Sequence, residues 1–258
     1  MGNLLRNSAW LYDVDNRDNL HDDIPFYLEY AEWQQGEILE LGCGTGRVAL
    51  ALAADGFRVA GLDLSQQMLE VFREKLAAKP EFAYKITLVH GNMSDFALDR
   101  KFSMIIAPFR AFQALTDDCD INNSLTCIRE HLTDNGIFIV NVFDPIPESM
   151  TEQTWCYSET VQWERLDEQT GNYVVKKHWG NKIDTVNQVI YPHFAFEVTY
   201  PDGKTERIVD DLQLKYYFCD QLRAIIENAG MEVIEGYSWY DKSPPGGREI
   251  IFVCRRKT

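Results

Sequence analysis

The sequence predicts an α/β fold: a doubly wound, mostly parallel sheet carrying an antiparallel β insertion. Three observations predict it. Short apolar runs alternate with helical patterns over roughly the first 145 residues, a glycine cluster follows the first run, and the alternation lapses between about 151 and 214 before resuming. Strands that alternate with helices pair in parallel and need cover on both faces.

The elements follow in order. Residues 37–41 (EILEL) are an apolar run ending in glycines, and 47–54 (RVALALAA) a helix stopped by Asp55-Gly56. Residues 57–62 (FRVAGL) form a second strand. Ser65 caps a helix that places Met68, Leu69, Phe72 and Leu76 on one face. Strands follow at 86–89 and 102–107 (FSMIIA). A helix at 125–132, closed by Asn135-Gly136, leads into a fifth strand at 137–142 (IFIVNV).

Beyond Asp144-Pro145 the chain reads as antiparallel strands rich in aromatics, among them Trp155, Trp163 and Trp179. Gly180-Asn181 suits a two-residue hairpin, and Pro201-Asp202-Gly203-Lys204 a second turn. A helix carrying Leu222, Ile225, Ile226 and Ala229 then ends at Gly230. Strands at 231–237 and 249–254 flank a loop, Ser243-Pro244-Pro245-Gly246-Gly247. The expected organisation is one domain from residues 1–150 and 215–258, with 151–214 inserted as a β subdomain over the active site.

Composition narrows the function. Apolar residues make up 45% of 258, enough for a sizeable core. The net charge is −15, and the basic spots are short, such as Arg255-Arg256-Lys257. Neutralising phosphates takes clustered cations, so nucleic acid and anionic membranes are poor partners. No apolar run reaches the roughly 18 residues of a membrane span, and residues 1–23 lack the apolar core of a secretory leader. Six cysteines contain no CxxC pair, which predicts free thiols, no metal site and a cytoplasmic location.

The chemistry gathers at strand ends. In Glu40-Leu41-Gly42-Cys43-Gly44-Thr45-Gly46-Arg47, glycines let the backbone turn sharply and bring N–H groups against a ligand. The spacing is GxGxG, and Arg47 stands where a dinucleotide fingerprint would have its third glycine. Asp63 ends the second strand, 21 residues after Gly42, where a carboxylate can accept both hydroxyls of a ribose. Gly91-Asn92-Met93-Ser94-Asp95 follows the third strand and can meet an adenine edge. All three lie at the carboxyl ends of parallel strands, where such sheets bind ligands.

Together ELGCGTG, GLDLS and GNMSDF resemble the three cofactor motifs of the class I S-adenosylmethionine-dependent methyltransferases, over about 37–145 and again 215–255. Asn92 stands where that family usually has Asp. The resemblance implies a Rossmann-like fold with an antiparallel last strand and S-adenosylmethionine as cofactor. It implies a backbone cradle at Gly42, Cys43, Gly44 and Gly46 beside Glu40, with Asp63 on the ribose and Asn92 and Met93 flanking the adenine. Leu64, Met68 and Ala107 would supply apolar walls. Tyr12 matches a family tyrosine that closes over the cofactor, so residues 8–24 are expected to form a cover. Within the family the chain is similar to the small-molecule subgroup that includes amino-sugar N-methyltransferases, though Phe112-Gln113-Ala114-Leu115 replaces a segment where those enzymes often carry histidine.

Methyl transfer is an in-line displacement that needs alignment and exclusion of water. A small-molecule N or O acceptor is expected, without metal. Arg110 and Gln113 are candidates to orient it, with Tyr191, His178 and His193 from the insertion. The two histidines are candidates for acid–base work. A homodimer through the aromatic insertion is the competing use of those strands. Two other readings stay open on sequence alone, a nicotinamide-dependent oxidoreductase and a non-catalytic S-adenosylmethionine-binding protein.

Overall fold

The computed structural model describes residues 5–15 and 22–257. Among these residues twelve strands form two sheets. The larger is built by β1 (Ile38–Leu41), β2 (Val59–Asp63), β3 (Ile86–His90), β4 (Phe102–Ala107), β5 (Leu132–Phe143), β11 (Met231–Tyr237) and β12 (Glu249–Arg256). Their order is β11-β12-β5-β4-β1-β2-β3. Pairs among β1 to β5 are parallel, and β12 runs antiparallel between β5 and β11.

Both faces of this sheet are buried because successive side chains point to opposite sides and both sides are apolar. Ile38, Met104, Ile106, Ile137 and Ile139 pack under α1 (Asp23–Gln34), α2 (Arg47–Ala54) and α3 (Gln66–Ala77). Leu39, Ile105, Phe138 and Val140 pack under α4 (Asp118–His131) and α6 (Cys219–Asn228). Among the described residues no helix is long and apolar enough to cross a membrane.

The smaller sheet is antiparallel throughout and follows a short helix, α5 (Glu152–Trp155). Its strands are β6 (Tyr157–Leu166), β7 (Tyr173–Asp184), β8 (Val189–Thr199), β9 (Thr205–Asp211) and β10 (Leu214–Lys215). One face packs Trp163, Val174, Phe196, Val198 and Ile208 around Leu11 of a 3₁₀ turn, Ala9–Val14. The N-terminal segment is therefore part of this second core.

Three local expectations are corrected. The expected hairpin at Gly180-Asn181 does not form: β7 runs through it, and the chain reverses after Asp184, whose carboxylate accepts from Val186 and Asn187 N–H. Gly180 serves close approach instead, since a Cβ there would collide with the Trp155 carbonyl. The helix before β5 is longer than expected, 118–131, because Asp117 caps its first turn through Cys119 N–H at 2.8 Å. Asp134-Asn135-Gly136 does not separate helix from strand. It lies inside β5 at a register shift against β4, where Gly136 admits the Phe102 carbonyl.

Candidate functional site

β1 delivers the chain into the glycine loop. Gly42, Gly44 and Gly46 all adopt positive φ, at 71°, 54° and 87°. Gly42 and Cys43 N–H both bond the Leu62 carbonyl, fixing the loop against β2. Gly46 is doubly constrained: its φ disfavours a side chain, and a Cβ would enter the Phe72 ring of α3.

Asp63 closes the other side. Its Oδ2 accepts from Gly44 N–H and its Oδ1 from Ser65 N–H, each at 2.7 Å. Burial raises its pKa, opposed by those two N–H groups. Each oxygen keeps lone-pair capacity for a ribose hydroxyl. Asn92 Oδ1 accepts from Ser94 N–H at 3.1 Å, ordering the turn after β3.

Gly42, Cys43, Gly44, Asp63 and Asn92 line one cleft of about 390 Å³, in the range of small-ligand sites. Of the cofactor residues expected from sequence, Tyr12, Glu40, Gly42, Cys43, Gly44, Asp63, Leu64, Met68, Asn92 and Met93 line it. Gly46 and Ala107 do not: Gly46 backs the loop and Ala107 is fully buried under it. Glu40 is only 2% exposed, and its Oε2 has no hydrogen-bond partner, a costly state for a buried polar atom. Burial pushes its carboxyl up to about 8, with Arg47 opposing. Burial likewise pushes the Tyr12 phenol up to about 12.

Two features that sequence reasoning passed over stand out. Arg47 forks onto buried Asp23 through two 2.6 Å bonds and lies 5.6 Å from the Phe109 ring centre. In the sequence it registered only as a missing glycine, and no spacing rule links it to Asp23. Phe109 and Arg110 have φ of 49° and 68°, two consecutive non-glycine residues in the left-handed region, directly after β4. Such strain persists only where surrounding structure enforces it and concentrates at functional sites. Here Arg110 is held by Glu249 at 2.5 Å and lies 5.4 Å from the Phe143 ring centre.

The expected acceptor residues divide. Arg110 lines the cleft. Gln113 does not: it is fully buried and stitches two elements, donating to the Lys215 carbonyl at 2.7 Å and accepting from Phe143 N–H at 3.1 Å. Tyr191 and His193 also lie outside the lining. Strand alternation explains it, because Ile190, Phe194 and Phe196 fill the packed face of β8 and Tyr191 and His193 take the other. His193 stacks on Trp179 and bonds Asp211 at 2.5 Å. His178, also outside, meets the Tyr157 hydroxyl at 2.9 Å and Thr160, and burial lowers its pKa.

His131 is structural: its Nε2 accepts from Leu98 N–H at 2.9 Å and its Nδ1 meets the Cys127 carbonyl at 2.7 Å. Residues 16–21 of the expected cover lie outside the described residues. Among the described residues no imidazole lines the cleft, and no group of His, Cys, Asp and Glu could hold a metal.

Residues 38–136 match the methyltransferase domain family. A putative methyltransferase of Geobacillus sp. is 24% identical over 230 residues, covering 89% of this chain and 87% of that protein. A dTDP-3-amino-3,6-dideoxy-alpha-D-glucopyranose N,N-dimethyltransferase of Streptomyces fradiae is 31% identical over 149 residues, 55% of each. Among solved structures, the CcbJ methyltransferase from Streptomyces caelestis superposes with a TM-score of 0.81 at 24% identity, over 100% of this chain and 99% of that one. Residues 38–136 thus form a methyltransferase domain of the S-adenosylmethionine-dependent, Rossmann-like kind, which counts against the nicotinamide reading.

Proposed function

We propose that the chain methylates a nitrogen of a small, neutral or cationic acceptor. The charge of the cleft carries this reading. Three carboxylates line it, Asp63, Asp117 and Asp120, beside the buried acid Glu40, while its cations Arg47 and Arg110 are each bonded to an acid, Asp23 and Glu249. An anionic acceptor would meet a negative field with no unneutralised cation to receive it. The amino-sugar relative from Streptomyces fradiae supports a nitrogen acceptor, but its dTDP-linked sugar carries an anionic diphosphate and lends no support to the neutral or cationic charge.

The lining fits the cofactor: the glycine loop offers backbone close approach, Asp63 two directed oxygens, and Glu40 an unpartnered acceptor for an ammonium. Bound there, S-adenosylmethionine supplies an electrophilic methyl group on a sulfonium. The chain's own work is then positional. Asp63 and the glycine loop hold the nucleoside and amino-acid ends. Phe109, Ala114 and Leu115 exclude water from the acceptor's path. An amine that arrives neutral needs no strong base, in keeping with a lining of carboxylates. Residues 151–214 act in this reading as an inserted wall on the acceptor side of a domain made by 1–150 and 215–258.

The test is transfer of isotopically labelled methyl from S-adenosylmethionine into a metabolite extract, with products placed by mass spectrometry. Labelled N-methyl products of small amines are expected. Label found only on oxygen, or only on macromolecules, would overturn the reading.

A further inference from the structure

Among the described residues the second sheet reaches the cleft at one place. Leu212, Gln213 and Leu214, the connection between β9 and β10, line it. Both ends of this connection are fastened. Leu212 N–H bonds the Pro192 carbonyl at 2.9 Å, and Leu214 pairs with Ile190 of β8. One residue on, the Lys215 carbonyl accepts from buried Gln113, and Lys215 Nζ meets Asp118 of α4 at 2.7 Å. The connection is thus braced against both the strained segment after β4 and the first turn of α4.

Its apex differs from its flanks. Leu212 and Leu214 are half-buried, while Gln213 is exposed and its carboxamide has no hydrogen-bond partner among the described residues. A carboxamide offers donors and an acceptor together and carries no charge. Set between two leucines on a fixed backbone, it gives an apolar wall one polar group, the arrangement that fixes a ligand's orientation in small-molecule sites. Hydroxyl and amine groups match it, since each can both donate and accept.

We propose that Gln213 is a specificity-determining residue of the acceptor site, hydrogen-bonding a hydroxyl or amine of the small molecule that is methylated. This rests on the small-molecule reading above and names the group that would select among such molecules. The sequence-based candidates Tyr191 and His193 sit on the far face of β8, so the insertion would read its acceptor through this connection. A site built to bond a polar substituent discriminates strongly against molecules lacking it, because its own polar group is then left unpaired.

The experiment runs wild type, Gln213→Leu and Gln213→Asn side by side with methyl-labelled S-adenosylmethionine and one metabolite extract, and measures S-adenosylhomocysteine affinity by calorimetry. Gln213→Leu is expected to lower label in the small-molecule product about tenfold or more, the loss of one well-directed hydrogen bond. Gln213→Asn should recover part of that label, and cofactor affinity should stay within about twofold. Equal labelling by wild type and Gln213→Leu overturns the assignment alone. A parallel fall in S-adenosylhomocysteine affinity also overturns it, placing Gln213 in the cofactor's part of the cleft. A wild type that labels no small molecule overturns the functional reading first, and this inference with it.

Discussion

Asp63 and Glu40 do opposite things with a buried carboxylate. Asp63 is held open by two backbone N–H bonds, and Asp63→Ala removes both oxygens offered to the ribose while orphaning those N–H groups. Charge-assisted bonds are worth about 1.5–3 kcal/mol each, so S-adenosylhomocysteine affinity should fall at least about a hundredfold by calorimetry. Unchanged affinity would remove Asp63 from the site. Glu40 has no such support on Oε2, and burial holds its carboxyl at about 8 against an ordinary value of 4.5. Between those values the folded chain binds a proton that the unfolded chain releases. Stability of the ligand-free protein therefore falls as pH rises through that window. Glu40→Gln should flatten this slope in thermal melts at pH about 5, 6.5 and 8; identical slopes would mean that Glu40 is ionised in the fold. That the glycine loop, Asp63 and Asn92 meet at one cleft was legible because strand ends gather at one edge of a parallel sheet. Arg47–Asp23 was not, since the two meet only through the packing of α1 on α2, and α1 hid its own period. Its large apolar residues Phe26, Tyr27 and Tyr30 are buried while Trp33 is 60% exposed, so no single stripe marks the helix.

At the scale of elements, the parallel core read clearly because both sheet faces are apolar and each crossover carries a cap or a glycine. The second sheet read less well. A glycine followed by asparagine has the signature of a tight turn, yet Gly180 is mid-strand because Trp155 crosses over it, a tertiary demand with no local trace. Gln113 failed the same way. A polar residue near a strand end looks like a ligand group, but both its ends are spent joining Lys215 to Phe143. Gly180→Val is a direct check. A side chain there must push the Trp155 carbonyl and α5 away from β7, and overpacking of this kind costs about 1–3 kcal/mol. For a chain of this size that is a melting-temperature loss of several degrees. Were Asn181→Ala equally damaging and Gly180→Val harmless, the turn reading would have been right.

Over the whole molecule, the N-terminal segment ties the two sheets across the cleft. Leu11 sits in the core of the second sheet, and Asp15 pairs with Lys176 of β7 at 3.4 Å. On the other side Asp13 accepts from the Thr45 hydroxyl of the glycine loop at 2.8 Å and pairs with Lys75 of α3 at 2.5 Å. Tyr12, between them, faces the cleft. The fastening point is Asp210, fully buried in β9, which accepts from Ser8 N–H at 2.9 Å and Asn7 N–H at 3.2 Å. Cofactor binding beneath this strap should slow amide exchange over residues 8–14, because opening the segment would then cost bound ligand as well as its own contacts. Asp210→Asn isolates the fastening. It conserves volume but replaces one accepting oxygen with a donor that faces the backbone N–H groups, a buried mismatch worth about 1–3 kcal/mol. Exchange over 8–14 should quicken in this variant, and S-adenosylhomocysteine should bind about ten- to a hundredfold more weakly, while an exposed acid such as Asp202→Asn leaves both unaltered. If Asp210→Asn changed neither exchange nor affinity, the segment would be held by its other contacts, among them Leu11, Asp13 and Asp15, and closing over the cofactor would not be what it does.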